Sequence, residues 1–368
     1  MRNLSGDRLF FLIVAILVFG GAAIFLSASL GLLARQNADL GHLALTQLVL
    51  GLIPGVIALF ILRFTPPVWI QKGIIPFYIV ALLATASVFI PGVGHHVNGA
   101  SRWIDLGPVT IQPAEFLKIA VVLMFAVYLA KMKTKLSEFR YGLLGFGVIV
   151  GLPAVLLLLQ PNTSTVLVMG TTTAAMYFLA GAPWRDFAIL IVIAVVGLAC
   201  LVMIRPYLWQ RINTFIHPSH NSLTSGYQIQ QSLIAIGSGG LLGRGYGQSV
   251  QKFNYLPEAV DDAIFAVYAE EFGLLGAVVL VLLYLAFAAR GFMIAAEANT
   301  SYGTFAATGL TLLIIISAFL NIGAMLSIFP LTGLPLPFIS HGGTALLAAL
   351  ASVGLILNIA ANRAKKRK

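Results

Sequence analysis

The sequence predicts an all-α polytopic membrane protein of about ten transmembrane helices, with both termini cytoplasmic and a long extracytoplasmic loop between helices 7 and 8. Three observations lead there. Apolar residues make up 59% of the 368, charged residues 9%, and mean hydropathy is +0.97, whereas a soluble domain carries roughly a quarter charged residues. Uncharged runs of about 20 residues, long enough to span a bilayer, recur along the chain. The basic residues fall mainly on one side of the resulting topology.

The spans read in order are 9–30, 43–62, 73–91, 113–130, 141–160, 162–181, 187–204, 263–289, 303–329 and 340–362. Each must be a helix, because exposed backbone groups find no water in lipid. The first follows Arg2 and Arg8 and is too long for a signal-peptide core, so it reads as a retained helix. Residues 1–368 form a single integral-membrane domain, with 205–261 as its large outer loop.

With the N-terminus inside, the cytoplasmic side holds Arg2, Arg8, Arg63, Lys72, Lys131, Lys133, Lys135, Arg140, Arg185, Arg290 and the tail from Arg363 to Lys368. That is 15 of the 22 basic residues, as the positive-inside rule requires. The net charge of +10 therefore reflects topology, and no nucleic-acid partner is expected. The basic tail reads as a membrane-surface anchor or a partner-binding tail. Eight of the 12 acids lie on the outer side: Asp39, Asp105, Glu115, Glu258, Asp261, Asp262, Glu270 and Glu271. Any chemistry faces outward. Cys200, the one cysteine, excludes an intramolecular disulfide and a thiolate metal cluster and reads as a packing residue.

Three outer segments, 92–112, 205–261 and 330–340, are expected to converge on one outward-facing cavity. The last contains Pro330, Pro335, Pro337 and Gly333, which forbid a regular helix at the membrane edge. Such backbone is tolerated only where protein or water covers it.

Glu258, Asp261, Asp262, Glu270 and Glu271 crowd the edge of an apolar run, and acids placed there usually mark a functional site. The plain alternative is that Pro257 opens a helix and the first three acids favour its positive end. Glu115 and Lys118 share a helix face, as a structural ion pair or as charges lining a cavity. Arg102, Arg211, Arg244 and Lys252 are outer cations, either solvated or suited to an anionic headgroup or pyrophosphate. The stretch Gly237 to Gly247 lacks the Lys-Ser/Thr of a P-loop and a complete GxGxxG, so ATP and NAD binding are rejected. It reads instead as a flexible turn, with Gly237, Gly239, Gly240, Gly243, Gly245 and Gly247 as points of freedom. His95, His96, His217, His220 and His341 show no ligand-like spacing. A hard divalent ion such as Mg or Mn, held by carboxylates, stays open.

Several blocks together resemble the SEDS family, the polytopic glycosyltransferases of shape, elongation, division and sporulation. Gly99-Ala-Ser-Arg102-Trp103-Ile precedes Gln112-Pro-Ala-Glu115-Phe-Leu-Lys118, which is similar to the family's Gln-Pro-Ser/Ala-Glu-Phe-x-Lys. Gln160-Pro-Asn162 resembles its Gln/Glu-Pro-Asp. Arg211-Ile-Asn-Thr-Phe215, Tyr227-Gln228-Ile-Gln-Gln231-Ser232, Ala235 to Gly240, Leu256-Pro-Glu-Ala259 and Pro330 to Gly343 resemble further signatures. The resemblance covers most of the chain from residue 90 onward. From Gly245 to Ala259 it is closer to the division branch, or its sporulation relative, than to the elongation branch.

Three positions depart from the family pattern. The family usually reads Pro-Glu-x-His-Thr-Asp-Phe-Ile-Phe-Ala where this chain has Pro257-Glu-Ala-Val-Asp-Asp-Ala-Ile-Phe-Ala266. The ungapped fit places the family's catalytic aspartate on Asp262, with Asp261 beside it. Asn162 stands for the usual Asp, and His341 for the usual Tyr, which makes a pH-sensitive variant of that site conceivable.

The resemblance implies an inner-membrane enzyme that polymerises glycan strands from the lipid-linked disaccharide-pentapeptide, lipid II, during division. Its active site would face the periplasm or cell exterior. Asp262 would be the catalytic base, and inversion at the anomeric carbon would follow. Arg102, Trp103, Glu115, Lys118, Arg211, Gln228, Gln231, Lys252, Glu258 and Ser340 would contact substrate. The implied partners are lipid II and the growing strand, a class B penicillin-binding transpeptidase, and other divisome membrane proteins. The rival readings are a flippase for lipid II or another anionic lipid, and a scaffold that activates a transpeptidase.

Overall fold

The structure, a computed structural model, describes residues 7–34, 47–97, 100–105, 107, 110–217 and 225–363. Arg2, Arg35, Asp39, Gly99, Pro108, His220 and the tail from Lys365 lie outside them.

Among the described residues twelve α-helices follow in order: α1 (Arg8–Ser29), α2 (Ile53–Phe64), α3 (Pro67–Ser87), α4 (Pro113–Met132), α5 (Leu143–Leu159), α6 (Thr163–Leu179), α7 (Trp184–Ile204), α8 (Pro206–Ile216), α9 (Ser225–Ser238), α10 (Ile264–Ala296), α11 (Ser301–Met325) and α12 (Gly343–Arg363). Eight of the helical stretches among the described residues are long and apolar enough to cross a membrane. The predicted spans 141–160 and 162–181 are shorter helices, α5 and α6. A π-turn at Gly147–Gly151 interrupts α5, directly before Pro153. Span 303–329 ends early, at Met325, and span 73–91 starts early, at Pro67, a residue that suits the first helical turn.

The hydrophobic pattern fixes which helices are central. α4, α11 and α12 bury most of their spanning stretches and form the hub, whereas α7 is apolar all round and buries only Asp186. A helix apolar on every face suits a lipid-facing position. Cys200 lies on α7 and is exposed, so it is not the packing residue the sequence suggested. α2 lies along α12, α1 along α10, and α3 along α4. Between α3 and α4, β1 (Gly94–Val97), β2 (Ala100–Asp105) and β3 (Thr110–Ile111) form a small antiparallel sheet in that order.

One end of the bundle is tied by Asp7, Arg290 and Asn358. Asp7 caps α1 by accepting from Phe10 N–H at 3.0 Å and pairs with Arg290 of α10 at 2.5 Å. The Asn358 amide of α12 donates to the carbonyls of Leu62, Arg63 and Thr65, satisfying the open end of α2. The described residues of segments 100–112, 160–164, 205–262 and 330–342 gather at the opposite end.

At that end the segment 205–261 is not an irregular loop. It contains α8 and α9, and the chain from Gln251 to Ala263 runs in turns before α10. Nor does a helix open at Pro257. Asn254 and Glu258 adopt positive φ, +69° and +51°, and the Ala263 N–H returns to the Glu258 carbonyl, so helix begins only at Ile264. Glu258, Asp261 and Asp262 thus precede the helix, while Glu270 and Glu271 lie inside it.

α10 breaks at Gly273, whose φ of +64° and ψ of −165° are non-helical. The glycine-rich segment enters this break: the N–H groups of Arg244 and Gly245 donate to the carbonyls of Glu270 and Glu271, and those of Leu274 and Leu275 to Gly240 and Leu241. A Cβ on Gly243 would sit 2.1 Å from the Glu271 carbonyl oxygen, so this glycine permits close approach and is no hinge. Gly273→Ala should therefore lower the thermal midpoint in detergent by at least the ~1–3 kcal/mol of a strained backbone region. Gly237→Ala, in open space on α9, should hold or raise it by the ~0.5–1 kcal/mol of a helical glycine replaced by alanine. Equal midpoints would mean that the break at Gly273 is not a constraint on the fold.

Candidate functional site

Asp262 ends the run of turns before α10. Its Oδ1 accepts from Gln228 Nε2 of α9 at 3.1 Å. Its backbone carbonyl accepts from Asn321 Nδ2 of α11 at 2.7 Å, and the same amide nitrogen donates to the Leu334 carbonyl at 2.7 Å. Asn321 is buried and joins the Asp262 turn to the proline-rich segment. It escaped the sequence analysis, because a lone Asn in an apolar helix has no motif around it.

Gly333, at φ +64°, lies between Arg211 and Asp262. A Cβ there would stand 3.9 Å from Arg211 Nη2 and 4.0 Å from Asp262 Oδ2. The glycine thus sits between a guanidinium and a carboxylate, at van der Waals distance from both. Burial raises the Asp262 carboxyl to about 6, Asp261 adds to this, and Gln228 and Arg211 oppose it. Part of the side chain still reaches the surface, so a proton can enter and leave.

Arg102 of β2 approaches from the opposite wall. Its Nε donates to the Gln160 carbonyl at 3.4 Å and its Nη2 to the Pro161 carbonyl. Burial lowers its pKa and the Arg211 charge lowers it further, with Tyr207 opposing. Arg211 lies over the Tyr207 ring at 5.7 Å. Two guanidiniums that repel one another favour a bound anion between them. Trp103 lies beside Arg102 in β2, and Gln231 one turn beyond Gln228 on α9. Glu258 is exposed in its turn.

Other candidates lie elsewhere. Lys252 does not join the two arginines. Its side chain is fully buried, with Nζ 2.7 Å from Glu271 Oε1, 3.1 Å from Ser27 Oγ and 2.9 Å from the Gly247 carbonyl. Arg244 pairs with Glu270 at 3.4 Å. Glu115 and Lys118 form a buried ion pair at 2.9 Å that also lines a cavity with Ser317, Pro335, Pro337 and Ser340. Both sequence alternatives for that pair therefore hold. Among the described residues of the three outer segments, those lining this cavity belong to the proline-rich one; Arg102 and Arg211 of the other two are within electrostatic reach of each other, and Arg211 of Asp262. Ser340 Oγ accepts from the Leu336 N–H at 2.8 Å and donates to the Asp261 carbonyl at 2.5 Å, so it braces the Asp262 turn. Among the described residues no three His, Cys, Asp or Glu side chains converge as a metal group.

Comparison with known proteins gives concordant matches. The family described as "Cell cycle protein", that of FtsW, RodA and SpoVE, matches residues 7–365. Stage V sporulation protein E of Bacillus subtilis is 38% identical over 363 residues, covering 97% of this chain and 98% of that protein. A probable peptidoglycan glycosyltransferase FtsW of Halothiobacillus neapolitanus is 42% identical over 285 residues, covering 76% and 68%. A chain of a solved peptidoglycan synthase complex, which coordinates polymerization and crosslinking, superposes with a TM-score of 0.80 at 28% identity, covering 98% and 99%.

The placement of Lys252 yields a test. Lys252→Ala strands the buried Glu271 charge and should cost about 3–5 kcal/mol, seen as a large fall in thermal midpoint. Arg211→Ala should leave that midpoint near wild type. The reverse order would remove Lys252 from the folding apparatus.

Proposed function

The chain belongs to the FtsW, RodA and SpoVE family of cell cycle proteins, and from that premise we propose that it is a peptidoglycan glycosyltransferase that polymerises lipid II at the outer face of the cytoplasmic membrane. The observation that carries this reading is the placement of Asp262 and Arg211 about Gly333, with Arg102 opposite. A base and two cations so placed match the needs of glycosyl transfer from a lipid pyrophosphate. The positive-inside distribution of Lys and Arg supports the outward orientation. The FtsW and sporulation relatives support a role in division or sporulation.

Asp262 accepts the proton of the acceptor sugar 4-hydroxyl as that oxygen attacks the donor anomeric carbon. The bond from that carbon to the lipid pyrophosphate breaks, and Arg102 and Arg211 stabilise the departing charge. Attack opposite the leaving group inverts the anomeric centre. Gln228 holds the Asp262 carboxylate in register. Glu115 and Lys118, beneath the proline-rich segment, lie where the lipid-proximal part of a substrate would pass.

Asp262→Asn should cut polymerisation of purified protein on lipid II by roughly 100-fold, the scale of a general base. Wild-type activity should rise with pH through about 6, as the carboxyl ionises. A carboxyl raised on folding stabilises the folded state at low pH and loses that contribution as pH rises through about 6. Asp262→Asn should therefore not lower the thermal midpoint above that pH. Near-wild-type turnover of the variant would transfer the role to Asp261. Movement of lipid II across vesicles without polymer would favour a flippase.

A class B penicillin-binding transpeptidase is the proposed partner, with other divisome membrane proteins around it. Tethering a polymerase to the enzyme that crosslinks its product raises the effective concentration of each. Polymer yield should rise when a serine-less cognate transpeptidase is added. Full activity of the lone chain, unaltered by the partner, would remove this switch.

A further inference from the structure

Asp261 and Asp262 are adjacent in sequence but turn to different partners. Asp262 takes Gln228, while Asp261 Oδ1 lies 3.1 Å from His341 Nδ1. His341 is itself firmly placed. Its backbone N–H donates to the Val260 carbonyl at 2.8 Å, and its ring stacks on Phe25 of α1 at 5.9 Å and 16°. On either side, Ser340 Oγ donates to the Asp261 carbonyl and the Gly342 N–H donates to Gln47 Oε1. Two of the residues that depart from the family pattern, Asp261 and His341, thus meet as a pair beside Asp262.

Asp261 faces the His341 imidazole directly, and Asp262, with Arg211 acting on it, lies beyond Asp261. Glu258 is exposed in the same turn, and Phe25 and Gln47 meet the His341 segment as uncharged groups.

We propose that His341 is a positioning residue that acts on the base Asp262 through Asp261. Neutral, it holds the Asp261 carboxylate against the Phe25 side, leaving Asp262 alone to face Gln228 and Arg211. Protonated, it cancels the Asp261 charge and so makes Asp262 easier to ionise. Imidazole is the side chain whose ordinary titration, near pH 6.5, overlaps that of the base. The pair would keep Asp262 a working base as the surroundings acidify. The inference rests on the reading of Asp262 as the base.

The test follows the Asp262 carboxyl directly, by infrared titration of each detergent-purified protein minus its Asp262→Asn counterpart. His341→Phe and His341→Gln should move the midpoint up, and Asp261→Asn should move it down, each by about half to one pH unit for a partly exposed pair. In an Asp261→Asn background, His341→Phe should have no effect, since coupled residues are non-additive. His341→Gln keeps a donor for Asp261, so its thermal midpoint should stay near wild type. Unchanged titration in both His341 variants would overturn the inference, and so would an undiminished shift in the Asp261→Asn background. Polymerisation is assayed in parallel at each pH. Absence of polymer with the shifts intact fails the polymerase reading alone; polymer without the shifts fails this inference alone.

Discussion

Two buried carboxylates on α10 hold the site end of the molecule together. Glu270 accepts from the N–H groups of Val250 and Gln251 and from the hydroxyls of Ser238 and Ser249, with Arg244 at its edge. Glu271 accepts from Ser27 of α1, from the Ser249 N–H and from Lys252. A buried charge is tolerated only when paired and hydrogen-bonded, so these contacts are obligatory. They fold the glycine-rich segment back into the break at Gly273 and fix Lys252. Only nine residues, 253–261, then lie between Lys252 and Asp262, which leaves the base little freedom of position.

The same economy governs the site. Asn321 donates to the carbonyls of both Asp262 and Leu334, and Ser340 links the Leu336 N–H to the Asp261 carbonyl. Polar side chains from the bundle thereby satisfy irregular backbone that lipid could not. Two non-helical turns, at Asp262 and Gly333, meet the helix that carries Arg211, and the three stay in register. Rigid placement is the arrangement in which fixed charges act most strongly on a reacting group.

Much of this was legible in the chain. The apolar runs located the eight long apolar helices approximately, with ends off by up to seven residues, because lipid leaves the backbone one way to satisfy itself. The five acids from Glu258 to Glu271 stood out because charge is rare here, but the sequence could not divide them. Glu270 and Glu271 are folding groups, and Asp262 faces Arg211 across Gly333. That difference depends on the turn at Glu258 and the break at Gly273, both set by contacts with residues far away in the chain. Lys252 looked like Arg102 and Arg211 for the same reason: composition shows a cation but not its partner.

The sequence by itself determined the membrane class and the approximate position of the apolar helices, and nominated Asp262, with Asp261 beside it, as the base. These follow from hydropathy, length and local motif, which are properties of contiguous residues. Only the tertiary structure decided that Lys252 is buried against Glu271, that Asn321 and Ser340 brace the Asp262 turn, and that His341 meets Asp261. Those pairings join residues from 19 to 80 positions apart, and their strength comes from exclusion of water, which no local pattern encodes.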